Sequence, residues 1–107
     1  MELQASDQIK ILAETLTTKF GVKRIIIFGS HAYGKTNQES DIDVCVITDL
    51  MSERKIDVIR EMRRELIDVI SNPLDILVYS EAEFNERANL SNTLEFKILT
   101  DGTCVYG

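Results

Sequence analysis

Two apolar runs and the short polar stretch between them limit this chain more than any other feature. Arg24-Ile-Ile-Ile-Phe28 leads directly into Gly29-Ser30, and a second apolar run, residues 42–48, opens behind Asp41-Ile42-Asp43. A continuous β-branched run of this length predicts a strand covered on both faces. Two such strands joined by a polar connector set up a sheet whose edge of loops carries carboxylates.

The remaining segments supply the layers around that sheet. Ser6 can cap a helix over 6–20, with Ile9, Leu12, Leu16 and Phe20 at helical spacing and Gly21 as its stop. A longer helix is expected over 53–70, with Ile56, Ile59, Met62, Leu66 and Val69 or Ile70 inward, ended by Asn72-Pro73. Residues 74–79 read as a third strand. Ser80 and Glu83 form a capping box for a helix over 81–90, and a short helix over 92–100 offers Leu94, Ile98 and Leu99. Asp101-Gly102 is a turn before a last short strand, 103–106. Alternating strands and helices predict an α/β or α+β class, a single domain over 1–107 without repeats or internal linker.

Composition narrows the function. The 107 residues are enough for one core, not two. The apolar runs fall far short of the roughly 20 residues of a membrane span, and MELQASDQIK lacks the regions of a signal peptide, so a cytoplasmic protein is expected. A net charge of −6 argues against strong stand-alone nucleic-acid binding, which needs clustered cations on phosphate. Arg60, Arg63 and Arg64 alternate with Glu61 and Glu65 and read as a solvated helix face. Cys45 and Cys104 lie in the apolar stretches VCVI and TCVY and read as buried core residues, with no zinc-ligand spacing.

Asp41 and Asp43 carry the chemistry. Two residues apart on a strand, they share a face, roughly 6.5–7 Å apart along it. Two such carboxylates repel unless a divalent cation lies between them, and oxygen donors select a hard ion such as magnesium, which commonly completes its shell with substrate phosphates. The plain alternative is a pair of solvated turn residues. Gly29-Ser30 suits phosphate contact, since glycine admits close backbone approach and the hydroxyl and amides donate; an ordinary strand-ending turn is the alternative. Asp75 opens the third strand and joins the pair if that strand neighbours the second. Three carboxylates with two metal ions would clamp a phosphate, one of them serving as general base.

Residues 29–36, Gly-Ser-His-Ala-Tyr-Gly-Lys-Thr, also match the Walker A pattern. A P-loop needs a helix beginning at Lys35-Thr36 and crossing back to a parallel strand. Only residues 37–40 precede Asp41, which leaves no length for that crossover. His31 is read as a solvent-facing turn residue, Tyr33 as a nucleotide-flanking or local packing residue, and Lys35 as a source of positive charge near phosphate.

Gly29-Ser30, ten residues, Asp41-x-Asp43 and a later strand carrying Asp75 together resemble the nucleotidyltransferase superfamily that includes DNA polymerase β. The stretch GSHAYGKTNQESDIDVCVI is similar to the minimal nucleotidyltransferases (MNT) of bacteria and archaea, and the resemblance covers nearly the whole chain. It implies a mixed β-sheet flanked by helices. It implies that Asp41 and Asp43 hold magnesium, Asp75 completes the triad and helps activate the acceptor, and Gly29 and Ser30 bind the triphosphate. The implied reaction is transfer of a nucleoside monophosphate, AMP from ATP, with release of pyrophosphate. His31 departs from the Arg of many relatives. The resemblance also implies pairing with a separate helical HEPN protein, as the antitoxin that adds AMP to its toxin. A non-catalytic antitoxin-like binding module is the alternative, and a homo-oligomer stays open.

Overall fold

The computed structural model describes residues 5–29, 41–49 and 54–107. Among them are helices α1 (Ala5–Phe20), α2 (Lys55–Leu66), α3 (Glu81–Ala88) and α4 (Leu94–Asp101), and strands β1 (Arg24–Phe28), β2 (Ile42–Ile47), β3 (Leu74–Tyr79) and β4 (Thr103–Tyr106). The four strands form one sheet in the order β3-β2-β1-β4. β1 runs antiparallel to both β2 and β4, and β2 runs parallel to β3. The class is the expected one, a mixed sheet with helices on both faces.

The central position of β1 and β2 explains their composition. Ile25, Ile26 and Ile27 are all buried because both faces of the strand are covered. One face, with Ile25, Ile27, Val44, Val46, Ile76 and Val78, packs on Leu12 and Leu16 of α1 and Val58, Met62 and Leu66 of α2. The other, with Ile26, Cys45 and Ile47, packs on Phe84 and Ala88 of α3 and Ile98 of α4.

Several expected features differ. α1 as described begins at Ala5, so Ser6 lies inside the helix. α2 stops at Leu66, and residues 67–69 form a turn in which the Val69 and Ile70 amides both donate to the Leu66 carbonyl. Ile70 stays buried, while Val69 is exposed and Ile56 is 56% exposed. Val58, not Ile56, faces the core, in one stripe with Met62 and Leu66 at a spacing of four. On α4, Leu94 and Leu99 are exposed and Glu95 is buried beside Ile98. Cys45 is buried as expected, but Cys104 is exposed, since β4 is an edge strand with little covering it.

The P-loop alternative fails on topology. β1 and β2 are adjacent and antiparallel, with Phe28 beside Asp43 and Arg24 beside Ile47. A P-loop joins its strand through a helix to a parallel neighbour.

Candidate active site

The carboxylates gather where β1 ends and β2 and β3 begin. Alternation along β2 turns Val44 and Val46 to the α1–α2 layer and Asp43, Cys45 and Ile47 to the α3–α4 layer. The parallel register sets Asp43 beside Asp75, followed by Val44 beside Ile76 and Cys45 beside Leu77. Register neighbours on adjacent strands are about 4.8 Å apart, nearer than the along-strand spacing of Asp41 and Asp43. Asp43 is half-buried, Asp75 is exposed, and Asp41 is exposed just ahead of β2.

Gly29 closes this end of β1. Its φ is +74°, a conformation that L side chains rarely adopt. An ideal Cβ there would lie 2.3 Å from Asp43 Oδ2. The missing side chain is therefore the space that the Asp43 carboxylate occupies. Ser30, His31, Tyr33 and Lys35 lie outside the described residues.

Three contacts near the carboxylates carry no signal in the motif. Arg63, expected on a solvated face, donates from Nη1 to the Leu74 carbonyl at 2.7 Å, and its Nη2 stands 4.0 Å from Asp75 Oδ1. Gln8 of α1 is buried, and its Oε1 accepts from the Ser71 amide at 2.9 Å and the Asn72 amide at 3.3 Å. Its Nε2 donates to Asn72 Oδ1 at 3.1 Å, and the next carbonyl, Pro73, accepts from the Ile42 amide at 2.8 Å. Gln8 thus fixes the entry to β3, and Pro73 ties that entry to the start of β2. Lys97 of α4 is the third: with Phe28, Gly29, Asp43, Leu94 and Ile98 it lines a cavity of about 230 Å³. A larger cavity, about 570 Å³ between α1 and β4, is lined by Ile9, Lys10, Ala13, Glu14, Thr17, Val105 and Tyr106 and is remote from the carboxylates.

α4 is held firmly over this end of the sheet. Thr93 Oγ1 accepts from the Phe96 amide and caps the helix. The buried Glu95 carboxylate accepts from Arg87 Nε at one oxygen and from the Tyr79 hydroxyl, at 3.3 Å, at the other. That pairing is what allows a carboxylate into the core. Hydrogen bonding to Glu95 in turn raises the Arg87 guanidinium above its ordinary pKa. Burial, with Glu95 adding to it, pushes Tyr79 up to about 12 and Cys45 up to about 12. Neither is an acid or base near neutral pH.

Asp43 and Asp75 offer the oxygen donors a hard divalent cation takes, and magnesium commonly uses one or two carboxylates plus substrate phosphate. Gly29 leaves the space in which Asp43 Oδ2, one donor of such a pair, lies. Asp41, Asp43 and Asp75 are all described, yet among the described residues no group of three His, Cys, Asp or Glu side chains, these included, is close enough to hold a metal ion, and Asp75 faces Arg63. Among the described residues, too, no helix is long and apolar enough to cross a membrane.

The chain is similar to known proteins. The chain is 32% identical over 100 residues to a Methanocaldococcus jannaschii protein named "Putative protein adenylyltransferase MJ0604", covering 92% of this chain and 94% of that one. A second protein of that organism, "Putative protein adenylyltransferase MJ0435", is 36% identical over 76 residues, 69% of this chain and 77% of the relative. Among solved structures, a Sulfolobus solfataricus protein described as a "putative nucleotidyltransferase" superposes with a TM-score of 0.59 at 20% identity, over 92% of this chain and 76% of that one. A toxin-antitoxin structure with AMP-PNP superposes with a TM-score of 0.63 at 19% identity, over 96% and 73%. At those identities the superpositions speak for the fold. The nucleotidyltransferase domain family matches residues 9–100, from within α1 into α4 and across every carboxylate of the site, and the chain belongs to that family of enzymes.

Proposed function

We propose that this nucleotidyltransferase moves AMP from ATP to a hydroxyl on a partner protein. The observation that carries the reading is the register of β2 and β3, which puts Asp75 beside Asp43 while Gly29 yields the space for the Asp43 carboxylate. The names of the curated relatives support protein adenylylation, and the structural neighbour described as a toxin-antitoxin with AMP-PNP supports a nucleotide substrate and a partner protein; a HEPN identity for that partner rests on the resemblance of the motif alone.

In this reading Asp41, Asp43 and Asp75 would supply the magnesium ligands, drawn closer together by the ion than they stand in this structure. The metal would supply charge neutralisation for the α-phosphate and the departing pyrophosphate. Asp75, the most exposed position on the edge strand, faces an incoming acceptor and takes its hydroxyl proton. The acceptor oxygen then bonds to the α-phosphorus, and the bond from that phosphorus to the bridging oxygen of the β-phosphate breaks. Pyrophosphate leaves with the electron pair. Gly29 lets the backbone approach the triphosphate, and Ser30 is assigned to the same role from its place in the motif.

A second reading, neutralisation of the partner by contact alone, draws on Asp75 facing Arg63. Transfer of label from α-labelled ATP to a co-purified partner separates the two. The enzyme reading expects magnesium-dependent label on the partner, lost in Asp43→Asn and Asp75→Asn. A stable complex with no label in the native protein, formed equally well by both variants, would establish the contact reading instead.

A further inference from the structure

An acidic chain that binds a triphosphate at three carboxylates has an electrostatic problem. ATP carries several negative charges, the chain carries −6, and the motif adds more negative charge where the phosphates must lie. Metal ions offset part of this. A fixed cation on another wall of the same cavity would offset more, and the structure holds one.

Lys97 lines the cavity of about 230 Å³ together with Gly29 and Asp43. Its side chain makes no ion pair among the described residues. That sets it apart from Lys19, held by Glu65, Lys23, held by Asp49 and Glu81, and Lys55, held by Glu83. The helix beneath it is anchored by the Thr93 cap, by Glu95 on Arg87 and Tyr79, and by Ile98 in the core. A fixed Cα bearing a flexible four-carbon stem and three donors suits contact with phosphate oxygens whose positions shift during a reaction. Phe28, Leu94 and Ile98 line the same cavity and lower its polarity, which strengthens a charge–charge contact inside it.

We propose that Lys97 contacts the phosphate chain of the bound nucleotide and sets its affinity. The assignment rests on reading this cavity as the nucleotide site, and it adds a residue that lies outside the Gly-Ser and Asp-x-Asp motif.

The test is binding of a non-hydrolysable ATP analogue to the intact chain with magnesium, by calorimetry. Lys97→Met should weaken the analogue about tenfold, the scale of one charge-assisted hydrogen bond. Lys97→Arg should restore most of the affinity, and adenosine, lacking phosphate, should bind both variants as it binds the native protein. Lys10→Met is the control for bulk charge. Lys10 also makes no ion pair among the described residues, but it lines the remote cavity between α1 and β4. Lys10→Met should bind the analogue normally, and all variants should keep the native melting temperature, because both lysines are on the surface. Unchanged analogue affinity in Lys97→Met, an equal loss in Lys10→Met, or an equal loss for adenosine would each overturn the role of Lys97. Absence of magnesium-dependent binding by the native protein would instead overturn the reading of the site itself.

Discussion

Gly29 and Asp43 occupy what is in effect one side-chain site. Asp43 Oδ2 stands 2.3 Å from where a Cβ on residue 29 would be, and the φ of +74° at Gly29 independently disfavours any L side chain. The Gly of the motif and the second Asp of the motif, far apart in sequence, are joined by the antiparallel register of β1 and β2. A side chain at residue 29 has no room unless the Asp43 carboxylate moves.

Gly29→Ala should therefore displace the Asp43 carboxylate. We expect a loss of stability of about 1–3 kcal/mol from the left-handed backbone position and the close contact. The transfer rate should fall by roughly tenfold or more, because a carboxylate moved by an ångström no longer lies in a productive position. Labelling assays and denaturant titration on the same preparation check both parts. A native rate with a native denaturation midpoint would show that the contact does not constrain Asp43.

Gln8→Leu tests the other side of the site. The substitution fills the buried space but leaves the Ser71 and Asn72 amides without the side-chain acceptor they use. The cost should be about 0.5–1.5 kcal/mol, the scale of hydrogen bonds lost at positions water can partly reach, since Ser71 is exposed and Asn72 half-buried. The loop it fixes leads through Pro73 and Leu74 to Asp75, so hydrogen exchange at Ser71 and Asn72 should accelerate relative to β1. Equal exchange in the variant and the native chain would show that the loop holds itself.

Much of the architecture was legible in local sequence. Ile25-Ile26-Ile27 announced a doubly covered strand, and the short interval from Thr36 to Asp41 argued against a parallel crossover, in keeping with the antiparallel pairing found. What stayed hidden was mostly long-range. Whether Asp75 lies beside Asp43 depends on which strand β3 joins, and no spacing encodes that. Ile56, Leu94 and Leu99 fit a helical period yet face solvent, because a period fixes a stripe but not the angle at which the helix meets the sheet. Glu95 lies in the core because Arg87 and Tyr79, from two other elements, occupy both its oxygens. Cys104 looked like Cys45 by its neighbours, and only the strand order shows that one is central and the other at an edge.

That difference between the cysteines is directly measurable. Cys104 is exposed on β4, whereas the buried Cys45 thiol is pushed up to about 12 by its surroundings. A thiol-specific reagent near neutral pH should modify Cys104 alone in the folded protein and both cysteines in denaturant, since the thiolate is the reacting form. Cys104→Ser should abolish labelling of the folded protein. Rapid labelling of Cys45 without denaturant would contradict the covering of β2 by α3 and α4.

The same burial predicts a loss of stability in alkali. Cys45 and Tyr79 both have acidic protons whose folded pKa values, pushed up to about 12, exceed their ordinary values of 9.0 and 10.0. Below the ordinary values both groups are neutral in folded and unfolded chains alike, and their contribution is fully present. As pH rises toward about 12 the unfolded chain loses these protons first, so it binds fewer than the folded chain and stability falls. The urea midpoint should therefore hold steady near neutral pH and decline from about pH 9 upward. In Cys45→Ala the decline should be shallower and begin nearer pH 10, where Tyr79 takes over, even though the cavity left in the core lowers the starting midpoint. A native chain whose midpoint does not move between about pH 8 and pH 11 would mean that these two groups meet water in the folded state, contrary to the packing of Cys45 against the α3–α4 layer.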